Sequence, residues 1–267
     1  MTETPSSLFK YVIPERVDIL ANEKFAFTPP ERFNDVMDVR PNVKPITNRE
    51  YLRQIEKEAQ EQFINSLPPS QRPPTQKQRE RLLEFLSGGV DHVIGQASEL
   101  AMKWQEELPK LISQHFGILC FSEINDSHVM WAHYASDHRG VVIGVDTADT
   151  GFLQLGQLKK VEYLPNPPVY DAAIGAMGFW RQKLDHWAYE REWRIVRELR
   201  DCEQVNAQDI PIYLCAFPRT MVKSIYLGIR ASTETEHRIR TIVTGTHVHL
   251  CRARAHVESG KLLFDPV

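Results

Sequence analysis

Glu190 and Glu192 stand two residues apart in the run Tyr189-Glu190-Arg191-Glu192-Trp193-Arg194-Ile195. Residues 191–199 alternate between apolar and polar, and that period of two predicts a strand. A strand puts Glu190, Glu192, Arg194 and Val196 on one face, with Trp193, Ile195 and Leu199 packed inward on the other. Two carboxylates so placed lie about 7 Å apart, from the rise per residue of a strand. That separation suits acid/base chemistry or the steadying of a cationic sugar centre. It equally suits ion pairing with Arg191, Arg194 or a cross-strand neighbour, a common use of charges on strands. The residue types alone favour this plainer use.

A second cluster lies upstream, in Cys120-Phe121-Ser122-Glu123, Met130-Trp131-Ala132-His133-Tyr134-Ala135 and His138-Arg139-Gly140. Aromatic rings beside ionisable groups suit a pocket that stacks a flat ligand and holds a polar one. They also suit a core with satisfied polar edges. His128, His133 and His138 recur every five residues, which on a helix turns each by about 140° from the last. They cannot share a metal. His247 and His249 fall on one strand face, but no HExxH or CxxC completes a site. No metal is expected. The chain has no GxGxxG, GxxxxGK[ST] or GxSxG, so dinucleotide-fold, P-loop and α/β-hydrolase readings lack support. Seven Lys and Arg between Arg219 and Arg254 face only Glu234 and Glu236. Such a patch could meet a polyanion, but it reads more simply as a solvated face.

The elements that must position these residues follow from periodicity and punctuation. Residues 8–13 and 25–27 read as short strands around a helix opened by Pro14. Residues 46–116 are helical. Thr47-x-x-Glu50 and Thr75-x-x-Gln78 read as capping boxes, Gly88-Gly89 is a break, and an apolar stripe runs from Val90 to Ile112 with Trp104 read as core. From Gly117 the chain turns β-rich, with strands expected at 118–122, 140–145, 161–164, 191–199, 210–216, 224–227 and 248–251. Helices are expected at 129–135, 170–188 and, capped by Thr233-x-x-Glu236, up to Val243. This irregular mixture implies an α+β fold. Its β-rich core is split between residues 1–43 and 117–267, and 44–116 form a helical insertion or cap.

Composition agrees with an ordinary globular chain. Of its 267 residues 42% are hydrophobic and 25% charged, outside the disordered range. The net charge of −3 argues against a protein held on nucleic acid by bulk charge. No apolar run approaches the ~18 residues of a membrane span, and residues 1–7 lack the pattern of a secretory signal. A cytoplasmic protein with no membrane partner is expected. Cys120, Cys202, Cys215 and Cys251 never form CxxC, so free thiols with no disulfide among them are expected.

Three blocks taken together resemble a large bacterial family of unknown function. They are Leu8-Phe9-Lys10-Tyr11 leading to Phe33-Asn34-Asp35, then Cys120 to Glu123 with Met130 to Ala135 and Gly140, then Tyr189-Glu190-x-Glu192-Trp193-Arg194 followed by Ser224 to Gly228. Val36 stands where that family usually has proline. The block order is also similar to that of ADP-ribosyltransferases, especially the DNA-targeting toxin type, and Glu190-x-Glu192 looks like their Glu/Gln-x-Glu element. That resemblance implies a split mixed sheet of the ADP-ribosyltransferase kind. It further implies NAD as substrate and ADP-ribosyl transfer to a protein or nucleic-acid acceptor, or NAD hydrolysis, in a toxin or phage-defence setting. Under it Glu192 stabilises the ribosyl cation and Glu190 orients or deprotonates the acceptor. Tyr11 or Tyr134 stacks the nicotinamide, Ser122 holds ribose or carboxamide, Lys10 meets the pyrophosphate, and His133 and Arg194 complete the NAD-binding set. A nucleotide or nucleic-acid hydrolase using the same glutamates, and a non-catalytic nucleotide sensor, remain as alternatives.

Overall fold

The computed structural model describes residues 3–45, 47–171 and 178–267. Its frame is a large mixed sheet with helices around it. Among the described residues the strand order is Lys261–Pro266, His249–His256, Val222–Leu227, Val141–Asp146, Ser7–Val12, Phe116–Ser122, Glu192–Glu198 and Leu158–Lys160. Neighbours run antiparallel, except that Val222–Leu227 and His249–His256 are parallel and joined through the helix Thr233–Val243. The first strand of the chain lies near the middle, with Phe9 opposite Ser122 and Lys10 opposite Ile143. A strand enclosed on both faces needs an unbroken apolar run, and Val141-Val142-Ile143-Gly144-Val145 is one.

The two faces bury different sets. Leu8, Val12, Leu119, Phe121, Ile143, Trp193 and Ile195 belong to one cluster; Tyr11, Val142, Met130 and Trp131 belong to the other. Trp193 and Ile195 therefore point inward, as their alternation predicts. In the second cluster Trp131 is wholly buried. It meets Tyr11 edge-on at 5.7 Å and donates its indole N–H to the Asn125 carbonyl at 2.7 Å. That bond satisfies the one polar atom of the ring.

This packing fixes the short helix His128–Tyr134, capped by Ser127, whose side chain accepts from Met130 N. The chain leaves it through Ser136, Asp137 and His138, all with left-handed φ. Gly140 follows because nothing larger fits: a Cβ there would lie 2.1 Å from the Val12 carbonyl oxygen. Gly228 is equally confined, with a Cβ 2.0 Å from the His138 oxygen. These contacts seat Tyr134 and His133 beside the central strands. A smaller sheet of Glu203–Ala207, Ile210–Ala216 and Lys24–Phe27 carries Phe25, which stacks on Phe217 at 4.2 Å.

Residues 40–109 and 167–179 form one compact unit, and 1–39, 110–166 and 180–267 the other. The first is built on the helices Arg49–Ser66 and Gln76–Phe85 and most of Gly89–His115. Thr75 caps its helix as its spacing predicts. Asn48, not Thr47, caps Arg49–Ser66, and Ser232, not Thr233, caps Thr233–Val243. In both cases an Asn or Ser one residue away from the expected Thr is at least as good a cap. Trp104 is 48% exposed, not core. The buried line runs through Val90, Ala97 and Ala101, whose small side chains leave the indole at its edge.

The helix expected over 170–188 is absent from its described part. Val169–Asp171 is a strand parallel to Asn42–Lys44, and Gln182–Leu184 is a strand parallel to Glu162–Leu164. Phe179–Arg181 and Asp185–Glu190 are single 3₁₀ stretches. Strand pairing overrides the local helical pattern here; residues 172–177 lie outside the described residues. Among the described residues no helix is long and apolar enough to cross a membrane.

Candidate active site

Arg191 takes a left-handed φ of 46° between the 3₁₀ stretch Asp185–Glu190 and the strand Glu192–Glu198. Glu190 therefore does not lie on the strand face expected for it. The turn at Arg191 swings it round so that both glutamates reach one ammonium. Lys183 donates to Glu190 Oε2 at 2.6 Å and to Glu192 Oε2 at 3.4 Å. It stands 3.5 Å from Asp38 Oδ2 and 4.7 Å from the Trp187 ring centroid, a cation–π distance.

Arg194 forms the second half of the cluster. Its Nε and Nη2 donate to the two oxygens of Glu192 at 2.8 and 2.9 Å. Nη1 and Nη2 donate to the two oxygens of Asp38 at 2.9 and 2.6 Å. Two cations thus hold three carboxylates, all nearly closed to solvent; the Arg194 side chain is 1% and that of Lys183 4% exposed. Fork-shaped pairs of this kind set orientation as well as charge. Tyr134 Oη donates to Glu190 Oε1 at 2.5 Å and accepts from Asn34 Nδ2 at 3.1 Å. Ser122 Oγ donates to the Glu190 carbonyl at 2.6 Å, and Tyr163 Oη accepts from the Glu192 N–H at 2.8 Å.

These surroundings drive the glutamates apart in acidity. Burial pushes the Glu190 carboxyl above its ordinary range; Lys183 opposes this and the charge of Glu192 adds to it. Burial acts the same way on Glu192, but Arg194 and then Lys183 overcome it and hold the group at about 2. Lys183 is raised, its burial outweighed by its three carboxylates. Tyr134 is raised by burial and by Glu190, so its phenol stays protonated.

Both glutamates line a cavity of about 330 Å³. Phe9, Tyr11, Phe33 and Tyr134 supply its aromatic wall, and Lys10, Arg32, Asp38 and Lys183 the other charges. The volume falls at the lower end of small-molecule pockets. Of the residues singled out in the sequence, Lys10, Tyr11, Ser122, His133, Tyr134, Glu190 and Glu192 border it. Arg194 does not; it is spent on Asp38 and Glu192. Lys10 is half-buried in the wall, and its ammonium donates to the Cys120 carbonyl at 3.0 Å. Burial lowers its pKa. Tyr11 Oη is engaged by the Ile124 carbonyl at 3.0 Å. His133 is exposed, and its Nδ1 lies 3.3 Å from Tyr189 Oη.

Sequence reasoning missed Lys183, Asp38 and Asn34. Asn34 stood in a quoted block, but nothing in its spacing tied it to Tyr134. Lys183 was hidden inside an expected helix. The basic patch is largely neutralised by Arg219–Glu23, Lys223–Asp146, Arg254–Asp265 and the pairing of Arg240 and Arg252 with Glu236. Among the described residues no three His, Cys, Asp or Glu are grouped to hold a metal. Comparison with family models, curated proteins and solved structures finds no match for the chain.

Proposed function

We propose that the cavity is the substrate site of an enzyme that breaks the nicotinamide–ribose bond of NAD and passes ADP-ribose to a nucleophile, a macromolecule or water. The observation that carries this reading is the pair Glu190 and Glu192. They share Lys183 and border one cavity, yet one is raised in pKa and the other lowered. Carboxyl groups driven apart in this way divide acid/base and electrostatic work between them.

The C–N bond breaks with its electron pair leaving on nicotinamide, and positive charge develops at the ribose carbon. Glu192, held ionised by Arg194 and Lys183 and bordering the cavity, supplies the negative charge that steadies it. Glu190, the more basic carboxylate, takes the proton of the attacking O–H or N–H group. Tyr134 holds Glu190 from one side and Lys183 from the other. The aromatic wall receives the nicotinamide ring. The block-order resemblance to ADP-ribosyltransferases supports the same reading and extends it to their split-sheet fold.

One observation favours a second reading, a pocket that binds a nucleotide without turning it over. Arg194 already occupies both oxygens of Glu192, which blunts its charge toward a ligand. Purified protein incubated with NAD, alone and with protein or nucleic-acid acceptors, separates the two. Nicotinamide release that falls ~10²–10³-fold in Glu190→Gln and in Glu192→Gln supports the enzyme. NAD binding without release supports the binder. A protein that neither binds NAD nor releases nicotinamide overturns the enzyme and NAD as the ligand.

A further inference from the structure

One hairpin carries a feature the proposed reaction does not use. Its strands Glu203–Ala207 and Ile210–Ala216 pair antiparallel, with Val205 opposite Ile212 and Glu203 opposite Leu214. One further step of the same register sets Cys202 opposite Cys215. The Cys202 backbone is extended, with φ −104° and ψ 150°, so it continues the strand. The two Sγ atoms lie 3.1 Å apart, within sulfur hydrogen-bond distance. That is about 1 Å beyond a disulfide bond of about 2.05 Å. Cys215 is buried against the core while Cys202 is half-buried, so one thiol of the pair is open to a reagent.

We propose that Cys202 and Cys215 are a redox modification site that closes to an intramolecular disulfide with a two-electron oxidant such as a peroxide or an azo compound. With peroxide, Cys202 attacks one oxygen and becomes a sulfenic acid. Cys215 then displaces the hydroxyl, so that two thiols and one hydrogen peroxide give one disulfide and two waters. With an azo oxidant the two thiol hydrogens pass to the N=N bond. Burial and the neighbouring Cys215 push the Cys202 thiol up to about 12, so closure is slow at neutral pH and quickens as pH rises. The bond ties the open base of the hairpin, at the end away from the turn where the Pro211 carbonyl accepts from Arg32 of the cavity wall.

The test treats the full chain with diamide at pH 8, blocks remaining thiols with N-ethylmaleimide and reads intact mass and peptides. The expected result, with alkylation carried out on the unfolded chain, is a monomer whose mass is that of the chain with two N-ethylmaleimide adducts, less two hydrogens. Cys202 is joined to Cys215, Cys120 and Cys251 are alkylated, and dithiothreitol gives full reversal. The oxidised form melts several degrees higher, because a short loop is closed in the unfolded chain. Cys202→Ser abolishes the mass loss, and the double variant Cys120→Ser/Cys251→Ser keeps it. Alkylation of all four thiols after diamide, or a bond that maps to Cys120, Cys251 or a second molecule, overturns the proposal. The wild-type peptide map decides even where a variant fails to fold.

Discussion

Replacing Lys183 by Met keeps its length and apolar stem and removes the one charge that Glu190, Glu192 and Asp38 share. Removing one partner from a buried ion cluster typically costs about 3–5 kcal/mol, because the remaining charges stay buried. Here the cost has a ceiling set by proton uptake. Without Lys183, Glu190 keeps only the Tyr134 hydrogen bond and faces the charge of Glu192, so its pKa rises further. From an ordinary value of 4.5, holding one proton costs about 1.4 kcal/mol per pH unit above it. That is about 4.8 kcal/mol at pH 8 and about 0.7 kcal/mol at pH 5. A raised carboxyl contributes stability below its unfolded value and loses it as pH rises through its folded value, so the deficit of the variant must grow from pH 5 to pH 8. Glu192 also loses Lys183, but it keeps the Arg194 fork, the larger of the two cationic effects that hold its carboxyl low. Urea unfolding of wild type and Lys183→Met at both pH values reads the difference. We expect a loss of about 3–5 kcal/mol at pH 8 and of about 1 kcal/mol at pH 5. Equal losses at the two pH values, or a loss below 1 kcal/mol at pH 8, would show that Lys183 does not hold the carboxylates in the way its distances indicate.

Two further outcomes follow from the same geometry. Tyr134→Phe removes a hydrogen bond to a carboxylate, a contact of about 1.5–3 kcal/mol; the Glu190 titration, followed by carbon NMR of its carboxyl, moves up by about one to two units. An unmoved titration refutes the 2.5 Å bond as a determinant of Glu190 acidity. Gly140→Ala forces a methyl against the Val12 carbonyl, where no flexible side chain gives way, and should destabilise by about 3 kcal/mol or more, read by thermal melting. An unchanged melting temperature would refute the close approach of that turn to the central strand.

What was legible in the sequence was what depends on local period and composition. The alternation at 193–195 put Trp193 and Ile195 inward, and the central strands and the helix at 128–134 followed from apolar runs and punctuation. The strands Leu158–Lys160 and Glu203–Ala207 carry no such run, and Lys261–Pro266 only the short Leu262-Leu263-Phe264. What was illegible depends on a single dihedral or on distance along the chain. Nothing marks Arg191 as left-handed, so a continuous strand was the natural reading and Glu190 was placed on its face. Lys183 sits among residues of mixed propensity whose state is decided by pairing with Glu162–Leu164, a partner twenty residues away. Asp38 lies 156 residues from Arg194, and no spacing rule joins them. CxxC spacing does not mark Cys202 and Cys215, which meet through hairpin register.

The ion cluster also bears on how the proposed reaction would divide its work between the two glutamates. Glu192 receives two bonds from Arg194 and one from Lys183, so its carboxylate is oriented and stays charged, but much of its accepting capacity is used. Glu190 receives one bond on each oxygen, from Tyr134 and from Lys183, and each oxygen keeps a lone pair for a ligand. A proton delivered to Glu190 is accommodated by its raised pKa; a proton delivered to Glu192 would have to break the Arg194 fork. In the proposed reaction acid/base work would therefore fall to Glu190 and fixed charge to Glu192. Asn34 reaches Glu190 through Tyr134, and Asp38 reaches Glu192 through Arg194.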